Sequence, residues 1–439
     1  MFAERNRSGM RFFNEWGRFL MAGATAHARW EINISNTIIH DRKRLFLLAL
    51  LLVPVLIGIF SCFAYADDIG NVLPDMLGGK EAYSPAEYTL GIFVASIFVG
   101  LIAGLITGCI GAGGGFIITP ALMSVGVKGI LAVGTDLFHI FAKAIMGSVI
   151  HRKLGNVAVG LAAVFVGGSL IGATIGGMIN RTLYESNPVL SDAFITSIYA
   201  VMLGALGIYA LRDFLKSRKS GGGPAHGGAD ESEQLGSVPQ KMQSINIPPM
   251  IKFDRNITPG GRRISWVFLV LTGAVVGFAA SIMGVGGGFL TFPAFVYGLG
   301  VSAATTVGTD IFQIIFTAGY ASILQYAIYG FIFYTLAMGM LLGSLIGIQI
   351  GALVTKVVPG SHIRGFYAMA VLAGFTNRIF ALPGILGELD VLPISEGAGN
   401  VLETIGIWLF FLLLGAFAIW VIGTFLRNIR RLKGVEVDI

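Results

Sequence analysis

Asp136, His139 and Lys143 stand three and then four residues apart in an apolar run. On a helix that spacing puts all three on one face. An acid, an imidazole and an ammonium are costly to bury in apolar surroundings, so such groups turn toward a partner, a water-filled path or a bound ion. Lys143 is too deep in its run to snorkel and has to pair with Asp136 or with a substrate anion. A second acid, Asp310, follows Thr309 as Asp136 follows Thr135, each near the start of a long apolar run. Either Asp can cap its helix and stabilise the dipole. Either can equally carry a coupling proton or cation, with His139 beside the first. In the second half Gln313 stands in place of His139 and Thr317 in place of Lys143, at an offset of 174 residues. Arg378, next to Asn377, interrupts the run 363–383 and is either an interfacial arginine or a further partner for an anion.

The other chemistry belongs to bare backbone. Gly111-Ala112-Gly113-Gly114-Gly115-Phe116 runs on to Pro120, and Gly284-Val285-Gly286-Gly287-Gly288-Phe289 runs on to Pro293. Glycine at this density breaks a helix and lets another group approach the backbone. Inside hydrophobic sequence such a break is tolerated only where it is buried in protein or lines a cavity. A short helix is expected after each triplet, its first amides unpartnered and at the positive end of the dipole. Two such ends facing each other near the membrane midplane make an anion site, here from Gly113, Gly114 and Gly115 with Gly286, Gly287 and Gly288. The competing use of these glycines is close helix packing. Duplication of the break, each copy with a proline downstream, favours the site.

The elements that must position these groups are membrane spans. The 439 residues are 55% hydrophobic and 12% charged, with a mean hydropathy of +0.79. A soluble domain is nearer about a quarter charged, so the chain reads as an all-α polytopic membrane protein. The net charge is +6. Its Lys and Arg cluster beside the apolar runs, which is the pattern of cytoplasmic loops rather than of nucleic-acid binding. Cys62 and Cys109 lack metal-ligand spacing. Haem would need axial ligands inside the spans, where only His139 lies deep, and no G-x-x-x-x-G-K-[ST] is present. No cofactor, no metal and no enzymatic activity is expected.

In chain order, residues 1–44 are polar and basic, either an amphipathic surface helix around Phe12, Phe13, Trp16 and Phe19 or a solvated tail. Residues 45–66 read as an uncleaved transmembrane anchor and 67–87 as an acidic outside loop. A first transmembrane repeat takes 88–213. A cytoplasmic linker rich in Gly, Ser, Pro and charge takes 214–263 and cannot bury enough apolar surface to fold alone. A second repeat takes 264–383. An outside loop at 384–402, a final span at 403–426 and a basic cytoplasmic tail at 427–439 follow.

Three blocks recur in one order. Gly111, Gly115, Phe116 and Pro120 match Gly284, Gly288, Phe289 and Pro293 at an offset of 173. Val133-Gly134-Thr135-Asp136 matches Val307-Gly308-Thr309-Asp310 at 174, and Gly168-Ser169-Leu170-Ile171-Gly172 matches Gly343-Ser344-Leu345-Ile346-Gly347 at 175. Topology then constrains the halves. The N-terminus, the linker and the tail carry the basic load and belong inside. That works only if the short runs 112–127 and 285–299 count as separate returns, which gives each half five passes and inverts one half relative to the other. Sixteen residues at about 1.5 Å each reach about 24 Å, short of the roughly 30 Å hydrocarbon core. Each glycine break is therefore expected at the tip of a re-entrant hairpin, in two inverted-topology repeats.

The duplicated G-x-G-G-G-F…P and V-G-T-D blocks resemble the TauE/SafE family of sulfite and organosulfonate exporter type permeases, over residues 88–383. The resemblance implies secondary transport of small sulfur oxyanions or C2 sulfonates across a bacterial inner membrane. It implies a substrate region at Gly113–Gly115, Pro120, Thr135, Gly286–Gly288, Pro293 and Thr309. The chain departs from the compact family pattern by its leader and anchor, its long linker and its final span. The expected function is export of a small anion, with Lys143 or Arg378 supplying charge and Asp136 or Asp310 coupling protons. An anion channel and a non-transporting sensor remain the alternatives. The expected partners are the anion and the lipid bilayer, without nucleic acid, and a homo-oligomer is compatible with them.

Overall fold

In lipid each backbone group needs an internal partner, so apolar runs of this length fold as helices. The structure, a computed structural model, describes residues 90–110, 114–153, 157–219, 237–254, 261–354, 357–358 and 360–434. The leader, the anchor, the loop 67–87, Gly111–Gly113 and the last five residues lie outside the described residues. The chain divides into two compact units, 66–426 and 1–65 with 427–439. Of the smaller unit only 427–434, the end of the last helix, is described.

The first set of helices is α1 (Leu90–Ile110), α2 (Gly115–Ser124), α3 (Gly129–Lys153), α4 (Val159–Ser186) and α5 (Pro188–Lys219). After a short helix α6 (Ser237–Ser244) and strands β1 (Met250–Phe253) and β2 (Arg262–Ser265), a second set follows. It comprises α7 (Trp266–Met283), α8 (Gly288–Pro293), α9 (Ala303–Tyr320), α10 (Tyr334–Val354) and α11 (Gly360–Glu388). α8 continues as a π-helix to Leu299, and α9 continues through a π-helical turn, Ala321–Tyr326. α12 (Glu396–Gly434) ends the described chain. Among the described residues eight helices are long and apolar enough to cross a membrane, namely α1, α4, α5, α7, α9 with its extension, α10, α11 and α12. α2 and α8 are apolar but shorter.

The two sets pack reciprocally. α1 lies along α10, α4 along α7, α3 along α9 and α5 along α11. Numbered within each set, first pairs with fourth, fourth with first, third with third and fifth with fifth. Exchanging the sets leaves this pattern unchanged.

Small residues make the two main pairs close. Gly100 and Gly104 of α1 lie on the backbone of Met340 and Ser344, while Gly343, Gly347 and Gly351 of α10 lie on that of Ile97, Leu101 and Leu105. In the other pair, Gly168, Gly172 and Gly176 of α4 lie on Val270, Ala274 and Phe278, and Gly273 and Gly277 of α7 on Phe165 and Ser169. A Cβ at these positions would overlap a facing carbonyl. This is small-xxx-small packing, which brings backbones together where lipid gives no hydrophobic drive for helices to associate. The third repeat block, Gly168–Gly172 and Gly343–Gly347, is therefore packing surface.

Helix starts are tied across the sets. The Phe333 amide, just before α10, donates to Thr135 Oγ1 at 2.9 Å. The Ala158 amide, just before α4, donates to Thr309 Oγ1 at 3.0 Å. Each hydroxyl satisfies one of the orphan amides of the opposite set's fourth helix.

The chain departs from an all-helical fold at β1 and β2, which pair antiparallel with Phe253 opposite Arg262. This part of the expected linker is packed on the bundle. Phe253 and Ile264 are buried in a cluster with Leu161 and Phe165 of α4 and Phe295 and Leu299 after Pro293. Asp254 accepts from the Ser302 amide at 2.8 Å and hydroxyl at 2.7 Å, and so holds the N-cap of α9. Gln243 and Arg262 donate to the Leu299 and Gly300 carbonyls. A few apolar residues on one hairpin face suffice because the bundle supplies the rest of the core. α11 also runs past the expected start of an outer loop, carrying Pro383 within it, and α12 begins at Glu396. α12 is seated on α11 through Trp420 and Phe417 against Phe366.

Candidate functional site

Each glycine break ends in a left-handed glycine that starts a short helix. Gly114 has φ 69° before α2, and Gly287 has φ 89° before α8. These two residues are repeat equivalents, and neither helix has a side-chain cap. Only glycine adopts this backbone without strain, and only a bare Cα leaves the first amides approachable. The two breaks meet. A Cβ on Gly115 would stand 3.1 Å from Val285 Cα, and the rings of the equivalent Phe116 and Phe289 lie 5.9 Å apart. Ile140 of α3 closes the junction, 2.7 Å from the Cβ position of Gly115 and 2.6 Å from that of Gly286. Pro120 and Pro293 deny an amide partner to the Phe116 and Phe289 carbonyls, and beyond Pro293 the helix widens to the π form. Gly113 lies outside the described residues.

Polar groups gather round this junction unequally. On the first side Thr107 Oγ1 lies 2.7 Å from the Cβ position of Gly114, and Lys143 Nζ donates to it at 3.4 Å. Asp136 and His139 are fully buried, with Oδ1 and Nδ1 3.7 Å apart. Thr119 of α2 donates to Asp136 Oδ2 at 3.1 Å, and His139 Nε2 meets Ser344 Oγ at 3.1 Å. The shared face predicted for Asp136 and His139 is thus present, and Lys143 lies against the first break.

On the second side Asp310 Oδ2 stands 3.2 Å from the Cβ position of Gly288. A carboxylate so close to the start of α8 complements the positive end of that helix. Its Oδ1 accepts from Gln313 at 2.9 Å, Gln313 accepts from Thr317 at 2.7 Å, and Thr317 meets Ser169 at 2.7 Å. The structure therefore places a cation beside the first break and a carboxylate beside the second.

The remaining predicted residues stand apart. Thr135 and Thr309 use their hydroxyl oxygens on backbone amides, as above. Arg378 is 1% exposed, its guanidinium turned into the protein rather than outward. It lies at the far end of α2 and donates to Asn377 Oδ1 at 2.7 Å, Ser124 Oγ at 3.2 Å, Pro120 O at 3.4 Å and Met123 Sδ at 3.3 Å. A guanidinium there complements the negative end of the helix dipole. Sequence reasoning missed Thr107, Thr119, Ser169 and Ser344. The serines lie inside the third repeat block, so their recurrence was the available signal; the threonines have no repeat counterpart.

These features define a helical multi-pass membrane protein with two reciprocally packed helix sets meeting at paired helix breaks. The chain belongs to the sulfite exporter TauE/SafE family, whose profile matches residues 96–377. Among its relatives, a probable membrane transporter protein, YjnA of Bacillus subtilis, is 26% identical over 59% of this chain and 89% of its own. A probable membrane transporter protein of Xylella fastidiosa is 23% identical over 67% of this chain and 92% of its own. Sulfite exporter TauE/SafE family protein 3 of Arabidopsis thaliana is 29% identical over 36% and 34% respectively. No solved structure matches the chain.

Proposed function

We propose that this protein is a secondary transporter, acting as an exporter, of a small anion of the sulfite or organosulfonate class. The observation that carries the proposal is the junction of the two glycine breaks, where equivalent left-handed glycines start two short helices in contact. The anion binds at the start of α2, at Gly114 and Gly115, with Gly286–Gly288 facing it across the junction. Lys143 supplies the charge. The start of α8 already has a carboxylate beside it, so the first break is the better anion end. The Arabidopsis relative is named a sulfite exporter family protein, which supports the substrate class.

The two sets are inverted repeats, the glycine breaks are tips of re-entrant segments, and both termini lie in the cytoplasm of a bacterial inner membrane. The lengths of α2 and α8 and the reciprocal packing support this reading. Close-packed pairs α1–α10 and α4–α7 rock about the junction and expose it to each side in turn. Protons couple the cycle through one of the two V-G-T-D acids, Asp136 or Asp310.

The test is uptake of radiolabelled sulfite into proteoliposomes, with unlabelled sulfate and taurine as competitors. Saturable uptake with counterflow is expected. Flux without counterflow identifies a channel. No flux of labelled sulfite, sulfate or taurine through folded protein removes the assignment.

A further inference from the structure

The two V-G-T-D acids are repeat equivalents, yet their surroundings differ in a way that assigns them different work. Asp310 is satisfied. Gln313 bonds one carboxylate oxygen, the start of α8 lies against the other, and Gln313 in turn accepts from Thr317. Asp136 is not. Its Oδ2 accepts from Thr119, but among the described residues its Oδ1 has no hydrogen-bond partner, and neither has the His139 Nδ1 that faces it. They are the carboxylate and imidazole members of a set of unpartnered buried atoms that otherwise consists of hydroxyls.

The hydrogen-bond directions allow His139 two tautomers. The Ser344 hydroxyl has one hydrogen, which goes to the Leu341 carbonyl at 3.2 Å or to His139 Nε2 at 3.1 Å. With that hydrogen on Leu341, His139 donates from Nε2 and presents a bare lone pair at Nδ1; with it on Nε2, the imidazole hydrogen sits on Nδ1 instead. In the first tautomer the lone pair faces a carboxylate oxygen, another acceptor, across 3.7 Å. In that tautomer two acceptors face each other in a place fully closed to solvent, and in either tautomer the pair lies too far apart to be hydrogen-bonded.

We infer that the Asp136–His139 pair is the proton-binding site of the transport cycle and that Asp310 is a fixed structural charge. This rests on the reading of the protein as a secondary transporter. With the imidazole hydrogen on Nε2, a proton entering between Oδ1 and Nδ1 joins the two lone pairs and breaks no other bond. A charge-assisted bond there closes to about 2.8 Å, so the side chains approach by about 1 Å. Thr119 on α2 is tied to one end of the pair and Ser344 on α10 to the other. Protonation therefore draws on the short helix that starts at the anion junction and on the α1–α10 pair. An added proton also leaves Asp136, His139 and Lys143 with one more positive charge close to that junction, so proton and anion favour each other's binding.

Other ionisable groups on the elements packed against α3 are engaged elsewhere. Tyr199 of α5 donates to the Met283 carbonyl and Tyr326 to the Ser281 carbonyl. Asp192 of α5 accepts from the Gly129 amide, Tyr320 of α9 meets Thr174, and Arg181 of α4 donates to Gln325. Tyr334 of α10 lies with its ring against Phe138. Glu185 and Arg212 are exposed. α2 and α7 bring no ionisable side chain.

The experiment uses the full chain in two assays. In proteoliposomes, an imposed pH gradient is expected to change labelled sulfite uptake relative to protein-free vesicles. In D136N and H139Q, the latter copying Gln313, the sulfite flux that remains is expected not to respond to the gradient, and in D310N it still does. In infrared difference spectra of the purified protein, the carboxyl band that grows on acidification is lost in D136N and retained in D310N. This second assay reads the proton without any transport. Loss of counterflow in the wild type refutes the transporter reading and leaves the infrared result to decide the proton site. A gradient response that survives in both D136N and H139Q, or a band that survives D136N, overturns the inference.

Discussion

The Phe333 amide donates to the Thr135 hydroxyl at 2.9 Å, and the same bond recurs at 3.0 Å between Ala158 and Thr309. Both threonines are buried, and each hydroxyl caps a helix of the other set. A lost cap of this kind costs about 1 kcal/mol. T135V and T309V are therefore expected to lower the melting temperature in detergent, additively in the double variant. The apparent KM for sulfite of the folded fraction should not change. A KM that rises without loss of stability would return these residues to the substrate site.

That pair also shows what a single sequence can and cannot tell. The V-G-T-D blocks were legible as a repeat, and the acids in them as buried charge. Nothing in either block says that its threonine reaches a residue of the other half, because the two bonds span 198 and 151 residues. The glycine breaks were legible because density of glycine in an apolar run has few explanations. Gly100 and Gly104 were not, since isolated small residues in such a run do not announce their partner. The β1–β2 pair escaped because four-residue strands with arginine and lysine carry almost no alternation, and their stability comes from the bundle they cover.

The helix pairs make a second prediction. A Cβ on Gly172 would overlap the Ala274 carbonyl, and one on Gly347 the Leu101 carbonyl. Backbone cannot move aside as a side chain can, so G172A and G347A are expected to destabilise by about 1–3 kcal/mol. Gly167 and Gly415 have open space around them, and G167A and G415A should leave the melting temperature within one degree or raise it slightly. Size-exclusion profiles and thermal melts of the four variants check the contrast.

Arg378 is held by the end of α2 through Pro120 and Ser124, with Asn377 completing the set. Its removal strands several buried acceptors, each costing about 1–3 kcal/mol. R378M should reduce the yield of folded protein strongly, and R378K should recover part of it. Sulfite affinity in the folded R378K protein should match the wild type. A large rise in KM for R378K with normal stability would instead make Arg378 a direct anion partner.

Lys143 carries the sharpest expectation. Its ammonium reaches Thr107, which lies against Gly114 at the start of α2, so it is a cation beside the first break. The equivalent residue in the other set is Thr317, which donates to Gln313. K143T should therefore give a protein whose two sides are alike in this position, stable but weak toward anions. The loss of a charge-assisted contact is about 1.5–3 kcal/mol, which is about a 10- to 100-fold rise in the KM for sulfite. The remaining binding would come from helix ends alone, whose partial charges are fixed. K143R should restore much of the affinity if charge alone matters, because the position is partly exposed and can admit the larger head. Radiolabelled uptake across a range of sulfite concentrations separates the cases. An unchanged KM in K143T, with folding intact, would show that the anion does not bind at the first break.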